Sequence, residues 1–579
     1  MQTQKTGKDH HVLLPNNPFV PPRGDVCFIN NLPPELLSHI FEVGAADNES
    51  EDDDDYADYT DYVRLYHLDA MDTDDNDIHH DVETMEELED DDREGDEEEA
   101  DDEGVSDATG SSDIPALWPP FQVVVSHVCR HWRNIAFSTP SIWTTIIVSP
   151  DARPPYQYVS TRLERSKDLP IDIYVDCEPQ EQESPTDLDA TDSAGPSTVD
   201  LKFLYSLLVP HIHRWRTVEV SVSKYRDMHV FLSAASDPSI SAAPQLTTLE
   251  LYHHEEMDEF DNFGYPSISK PLIIFGGSAP CLTSVVLWGV HVDWNQPWIA
   301  SASKLTHLEL AFHPEDVRPS WAQFTTILRG ASALEKLSLR MSGPSEDPPW
   351  LVEPTLESSI DLNAPIQLHK VTDFIFAFHS PARSIALLHK FYLPALKNLA
   401  LDFDDGDYTD LVFALAGPAT SLSLPSTHEQ PRSLLNSLES LKIAGLPCRT
   451  EHVDILYKEL QNLTSLNISL THLSPLFLDI LTTPCMVAGR GDIWLPRLAT
   501  LYVSGTSGDV LREVVQKRMD AGVPLDSLYV EASCDLDEED AEWLKENLKT
   551  LNFFEGSDDE DDTDFEDMDE EIDEWSDMD

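Results

Sequence analysis

The sequence predicts an α/β fold: a small helical module near the N-terminus, then an irregular solenoid with parallel strands on its concave side and helices on its convex side. Three observations lead there. Two short amphipathic helical patterns bracket a long acidic stretch, an apolar triplet of strand type recurs along most of the remaining chain, and the charge is concentrated where neither pattern occurs. The resulting division is 1–24, a disordered leader; 25–46 with 114–148, two halves of the helical module; 47–113, a disordered acidic insertion; 149–204, a connection; 205–554, the solenoid; and 555–579, a disordered acidic tail.

The first half of the module reads INNLPPELLSHIFEVGA. Asn31 is a suitable N-cap, Pro33 and Pro34 suit a first helical turn because their fixed φ and missing N–H cost nothing there, and Glu35 complements the helix dipole. Leu36, Leu37, Ile40 and Phe41 then recur at helical spacing and form an apolar stripe that must be covered. The second half reads FQVVVSHVCRHWRNIAFSTPSIWTTI. Val125, Val128, Cys129, Trp132, Ile135 and Ala136 fall on one face of a single helix, Pro140 ends it, and Thr144 to Val148 is a β-branched run that reads as a strand.

Between the halves, Asp47 to Asp113 contain 32 acidic and 2 basic residues, and the tail from Glu555 contains 16 acidic and none basic. Together they carry most of the net charge of −71. Such runs repel themselves and hold too little apolar area to offset ordering entropy, so they are expected to stay extended and solvated. Tyr56, Tyr59, Tyr62, Leu65, Tyr66 and Leu68 are the one patch in the insertion able to dock on something. The rest of the chain is still acidic, which argues against nucleic acid as a partner. Seven scattered cysteines without a Cys-x-x-Cys pair, an N-terminus without an apolar signal core, and no membrane-length apolar run predict a reduced, intracellular protein of cytoplasm or nucleus, away from membranes.

In the connection, a helix is expected over Tyr156–Ser166, a strand over Pro170–Val175 and a loop over Glu178–Val199. The repeat follows. Aligned on the apolar triplet, its eleven copies start at Trp215, Leu246, Leu282, Leu305, Leu334, Val371, Leu396, Leu438, Leu463, Leu498 and Leu525, 23 to 42 residues apart. Leu-x-x-Leu-x-Leu places one apolar residue at the turn into a strand and two on its inward face. No unit buries that face alone, and stacking the units gives a parallel sheet with a continuous core. Trp321, Phe324, Ile327 and Leu328, then Val453, Leu456 and Leu460, then Val510, Leu511, Val514, Val515 and Met519, mark helices on the convex side. Trp543, Leu544, Leu548 and Leu551 read as a closing helix.

Leu32-Pro33-x-Glu35-Leu36-Leu37-x-x-Ile40-Phe41, followed by Val128-Cys129-x-x-Trp132-Arg133-x-x-Ala136 and Ser141-Ile142-Trp143, resembles the F-box. The spacing departs from that family because the acidic insertion occupies the place of a short loop and the start of a middle helix. Leu117, Trp118 and Phe121 are the residues left for that helix, so the module looks like the F-box-like variant. The repeats resemble degenerate leucine-rich repeats, although the asparagine that usually follows the strand is missing from every copy. The resemblance implies a substrate receptor of an SCF-type cullin-RING ubiquitin ligase, not itself an enzyme, docking on a Skp-type adaptor and holding a target on its repeats. At the matching positions Leu32, Pro33, Leu36, Leu37, Ile40, Val125, Val128 and Trp132 are the adaptor contacts or their supports, and Trp132 is the expected anchor. Outward strand residues, Glu250, Trp288, Glu309, Arg340, Asp402, Lys442 and Tyr502, are the candidates for the target, which an acidic protein would favour as basic. The alternative is an acidic repeat scaffold or chaperone for basic proteins.

Common catalytic signatures are missing: there is no phosphate loop, nucleophile elbow or His-Glu-x-x-His. Asp402 to Asp407 hints at a calcium loop, but its glycine is one place early and Phe413 takes the closing Glu position. His127, Cys129 and His131 lie close in sequence without further ligands and read as surface. No cofactor or metal is expected.

Overall fold

The computed structural model describes residues 29, 32–50, 120–150, 152–177, 196–254, 262–345, 365–403, 406–417, 433–449, 452–470, 473–485, 492–532, 534 and 536–554. Asn31, Leu117, Trp118, the tyrosine patch of the insertion and the two acidic stretches lie outside them. The chain divides into two compact units, Met1–Leu169 and Pro170–Asp579. Among the described residues no helix is long and apolar enough to cross a membrane.

In the first unit, helix α1 (Pro34–Ser50) is joined by α2 (Phe121–Val128), α3 (Arg130–Ser138) and a 3-10 turn (Pro140–Trp143). The single second helix expected from the sequence is two helices. Cys129 is extended (φ −162°, ψ 166°), and its Sγ accepts the Trp132 N–H at 3.5 Å, so the cysteine caps α3. Arg133 Nε donates to the Ser126 carbonyl at 2.9 Å and closes the end of α2. Within α2, Val125 is buried and Val128, in the last turn before the break, is exposed. His127 and His131 are exposed on separate helices.

The shared core of this unit is Leu37, Phe41 and Ala45 from α1, Val125 from α2, Ile135 and Ala136 from α3, and Ile142 and Trp143 from the turn. Residues 37, 41 and 45 are four apart, one helical stripe. Phe121 packs against this core across Gly44, where a Cβ would lie 2.4 Å from the ring, so glycine permits the close approach of α1 and α2. Two hydrogen bonds span the acidic insertion, Thr139 Oγ1 to Ser38 Oγ at 2.9 Å and Ser141 Oγ to Glu42 Oε1 at 2.7 Å. A strand (Thr145–Val148) and helix α4 (Gln157–Arg165) complete the unit.

The second unit is built on a parallel sheet whose strand order follows chain order, from Ile171–Asp176 to Thr550–Phe554, with helices between strands, a solenoid-like arrangement. All eleven copies of the triplet lie in it and in phase. The fourth residue of each copy forms one row: Val218, Leu249, Val285, Leu308, Leu337, Phe374, Leu399, Leu441, Leu466, Leu501 and Leu528 are paired strand to strand. The row extends one strand beyond the pattern at each end, to Ile173 and Leu551. Leu551 therefore sits in a strand, and the closing helix is Glu538–Asn547, holding Trp543 and Leu544.

The helices expected between strands form at Trp321–Gly330, Val453–Glu459 and Gly508–Asp520. One inward position differs. Arg518, not Met519, continues the stripe of Leu511, Val514 and Val515 and is fully buried. Its guanidinium donates to the carbonyls of Trp494, Leu495 and Leu498 at 3.0, 2.9 and 3.3 Å, so it satisfies the turn leading into strand Thr500–Ser504.

The missing asparagine also finds its counterpart. In three consecutive copies the residue after the strand, Phe312, Met341 or Phe378, has positive φ, and the next residue, His313, Ser342 or His379, is buried. His313 bonds Ser342 Oγ through Nδ1 at 2.8 Å and the Val290 carbonyl through Nε2 at 3.0 Å. The His313 imidazole and the Ser342 hydroxyl thus do here what asparagines would do, pairing polar groups of successive turns.

Candidate functional site

Each unit carries one surface with the makings of a site. On α1 the stripe of Leu37, Phe41 and Ala45 is buried, but a second apolar stripe, Leu36, Ile40 and Val43, stands in solvent at 51%, 43% and 47% exposure. These residues are spaced i, i+4, i+7, so they lie along one line of the helix. On α2, Val124 and Val128 are likewise exposed, at 38% and 55%. Pro33 is exposed at the start of α1.

The eight residues expected at an adaptor surface accordingly separate into two groups. Pro33, Leu36, Ile40 and Val128 are available to a partner. Leu37 and Val125 are core, and Leu32 packs against that core. Trp132 is half-buried against the same core, its ring 5.2 Å from that of Phe41, so it holds α3 to α1 as well as offering an edge to solvent. Sequence reasoning missed Val43 and Val124, although each stands at helical spacing from a residue it chose.

In the second unit, alternation leaves a polar and aromatic face opposite the leucine rows. Glu250, Glu309, Lys442 and Tyr502 occupy one row of it, between the paired inward residues. Trp288, Arg340 and Asp402 stand two residues further on than that row, on the same face. The seven therefore share a surface but not one spot. Lys442 is exposed, and Tyr502 stacks on Tyr529 with ring centroids 4.4 Å apart.

Toward the N-terminal end of this sheet the face is dense in rings. Tyr252 meets Trp288 at 5.5 Å, Trp288 meets Phe312 at 5.2 Å, and Phe312 meets Phe378 at 5.9 Å. Phe312 and Phe378 are two of the positive-φ residues that follow the strands. Trp288 Nε1 donates to Glu309 at 2.8 Å, and Arg340 Nε lies 3.5 Å from the same oxygen. Tyr252 donates its hydroxyl to Glu250 at 3.1 Å. Burial, reinforced by the charge of Glu309, raises the Glu250 carboxyl above the usual range against the opposing pull of Tyr252 and Lys336. Phe312, Phe378 and Tyr252 had no signal in the sequence, because their importance comes from strands brought side by side.

Among the described residues no group of three or more His, Cys, Asp or Glu side chains is placed to hold a metal. No family model matches this chain, and no curated protein does.

Proposed function

We propose that this chain is the substrate-recognition subunit of an SCF-type cullin-RING ubiquitin ligase. The α1–α3 unit docks on a Skp-type adaptor, and the open face of the sheet holds the target protein. What supports the reading most is the second apolar stripe on α1. A helix already anchored through Leu37, Phe41 and Ala45 has no folding reason to display Leu36, Ile40 and Val43 to water, whereas a docking helix does. The motif residues that resemble the F-box fall on that stripe and on the core beneath it. In this role the chain supplies proximity: it keeps a target near a conjugating enzyme carried by other subunits.

The test is co-purification with a Skp-type adaptor. Replacing Leu36 and Ile40 together with Asp is expected to weaken adaptor binding by about a hundredfold or more, since central apolar anchors each carry about 2 kcal/mol or more of an interface. Circular dichroism should stay unchanged. Undiminished co-purification would remove the basis of the proposal.

A second reading, an acidic scaffold for basic proteins, is favoured by the charge alone, 108 acidic against 37 basic residues. Deleting residues 47–113 and 555–579 separates the two. A scaffold loses its partners, and a receptor keeps its adaptor.

A further inference from the structure

The apolar rows of the sheet lose their cover at its last strand. Leu528 and Val530 are fully buried, whereas their register partners in Thr550–Phe554 are not: Leu551 is partly exposed and Phe553 is 50% exposed. Elsewhere a helix follows the strand. Trp321–Gly330 follows His307–Ala311, and Val453–Glu459 follows Ser440–Ile443. Each places buried residues at i, i+3 and i+7, namely Trp321, Phe324 and Leu328 in the first and Val453, Leu456 and Leu460 in the second. Among the described residues no helix follows Thr550–Phe554.

The sequence beyond that strand repeats the same spacing. Phe565, Met568 and Ile572 stand at i, i+3 and i+7, and Trp575 continues the line. Thr563 and Glu566 have the spacing of a capping box, and Asp564, Glu566 and Asp567 would complement the start of a helix dipole. The carboxylates that give the tail its charge fall between the apolar positions, so one side of such a helix is apolar and the other acidic. The connection is of a length the solenoid already uses: nine residues separate Ser440–Ile443 from Val453–Glu459, and nine separate Phe554 from Asp564.

Charge marks the same place. Arg512 of the preceding helix, Gly508–Asp520, meets Glu539, Asp540 and Trp543 on one side of the closing helix Glu538–Asn547. The other side of that helix carries Ala541 and Lys545, and Lys545 is exposed, with no ion pair among the described residues. We infer that residues 564–575 form a further helix of the solenoid, which packs Phe565, Met568 and Ile572 over Leu551 and Phe553 and sets its carboxylates beside Lys545. It is the terminal cap that a stack of repeats requires, apolar towards the last unit and polar towards water. This assignment depends on neither the adaptor surface nor the target face.

The experiment is hydrogen exchange of the full chain read by mass spectrometry, with a synthetic peptide of residues 555–579 as the unprotected reference. Amides of residues 565–575 are expected to exchange at least about tenfold more slowly in the full chain than in the peptide, and to do so equally on dilution. Ile572→Asp and Phe553→Asp should each remove that protection while strand Ser527–Glu531 keeps its own. Glu570→Gln, on the acidic side of the segment, should retain it. Exchange as fast as in the peptide, or an equal effect of all three substitutions, would overturn the inference. Protection that disappears on dilution would overturn it as well, by assigning the segment to a second copy of the chain.

Discussion

His313 and His379 are the clearest case of side chains whose chemistry is set by place. Burial lowers both to about 3 from an ordinary 6.5, helped at His379 by Arg383 and Arg318 and at His313 by Arg318. The folded state therefore binds fewer protons than the unfolded state between those values. The stability these histidines contribute is complete above about pH 6.5 and is lost as pH falls towards 3, by up to about 1.4 kcal/mol per pH unit for each. Replacing both with Asn, the residue typical of this turn, should flatten the fall in melting temperature between pH 7 and pH 4.5; an unchanged slope would assign the acid sensitivity elsewhere. Arg518 is the opposite case, a buried cation lowered to about 10 by burial and answered, among the described residues, by carbonyls. Arg518→Leu should cost about 3 kcal/mol in urea unfolding, because three carbonyls lose their donor. Periodicity alone pointed to Met519. Arg518 took the position because the turn beneath it needed hydrogen-bond donors, a demand invisible until the chain is folded.

Helix α1 was legible as a helix from its prolines and apolar spacing, but which stripe faced inward was not, since Leu36, Leu37, Ile40 and Phe41 are alike in hydropathy. Packing decided it. Phe121 approaches over Gly44, and the stripe on that side became core. Gly44→Ala is expected to destabilise the first unit by about 1–3 kcal/mol through overpacking against the Phe121 ring, measured by thermal melting of the full chain. A neutral result would mean that the ring swings aside without cost. The break at Cys129 was likewise hidden: Val-Ser-His-Val-Cys-Arg-His-Trp contains neither glycine nor proline, and the helix ends there because Cys129 Sγ and Arg133 supply the caps that two shorter helices need. The repeat strands were more transparent. Period-2 alternation and the leading apolar residue, Leu in nine copies, placed all eleven, since a one-residue slip would turn the inward apolar residues to the opposite face.

The sheet of the second unit ends, among the described residues, at Thr550–Phe554, which pairs on one side only and exposes Phe553 at 50%. An open edge of this kind invites pairing with another chain, and sixteen carboxylates follow it directly in sequence. Removing 555–579 should raise self-association, seen in sedimentation at low salt, and Phe553→Lys in the shortened chain should reverse it; a monomeric shortened chain would deny the tail this role. By itself the sequence determined the class of fold, the phase of the leucines and the location of the charge, because each is a local pattern carried by neighbouring residues. Only the tertiary structure decided that Leu36, Ile40 and Val43 stay in solvent, that Arg340 is spent on Glu309 and Trp288, and that Arg518 is buried against the turn before strand Thr500–Ser504. Those facts depend on which strands and helices lie beside one another, and residues 20 to 80 positions apart carry no mark of that until burial has chosen their neighbours.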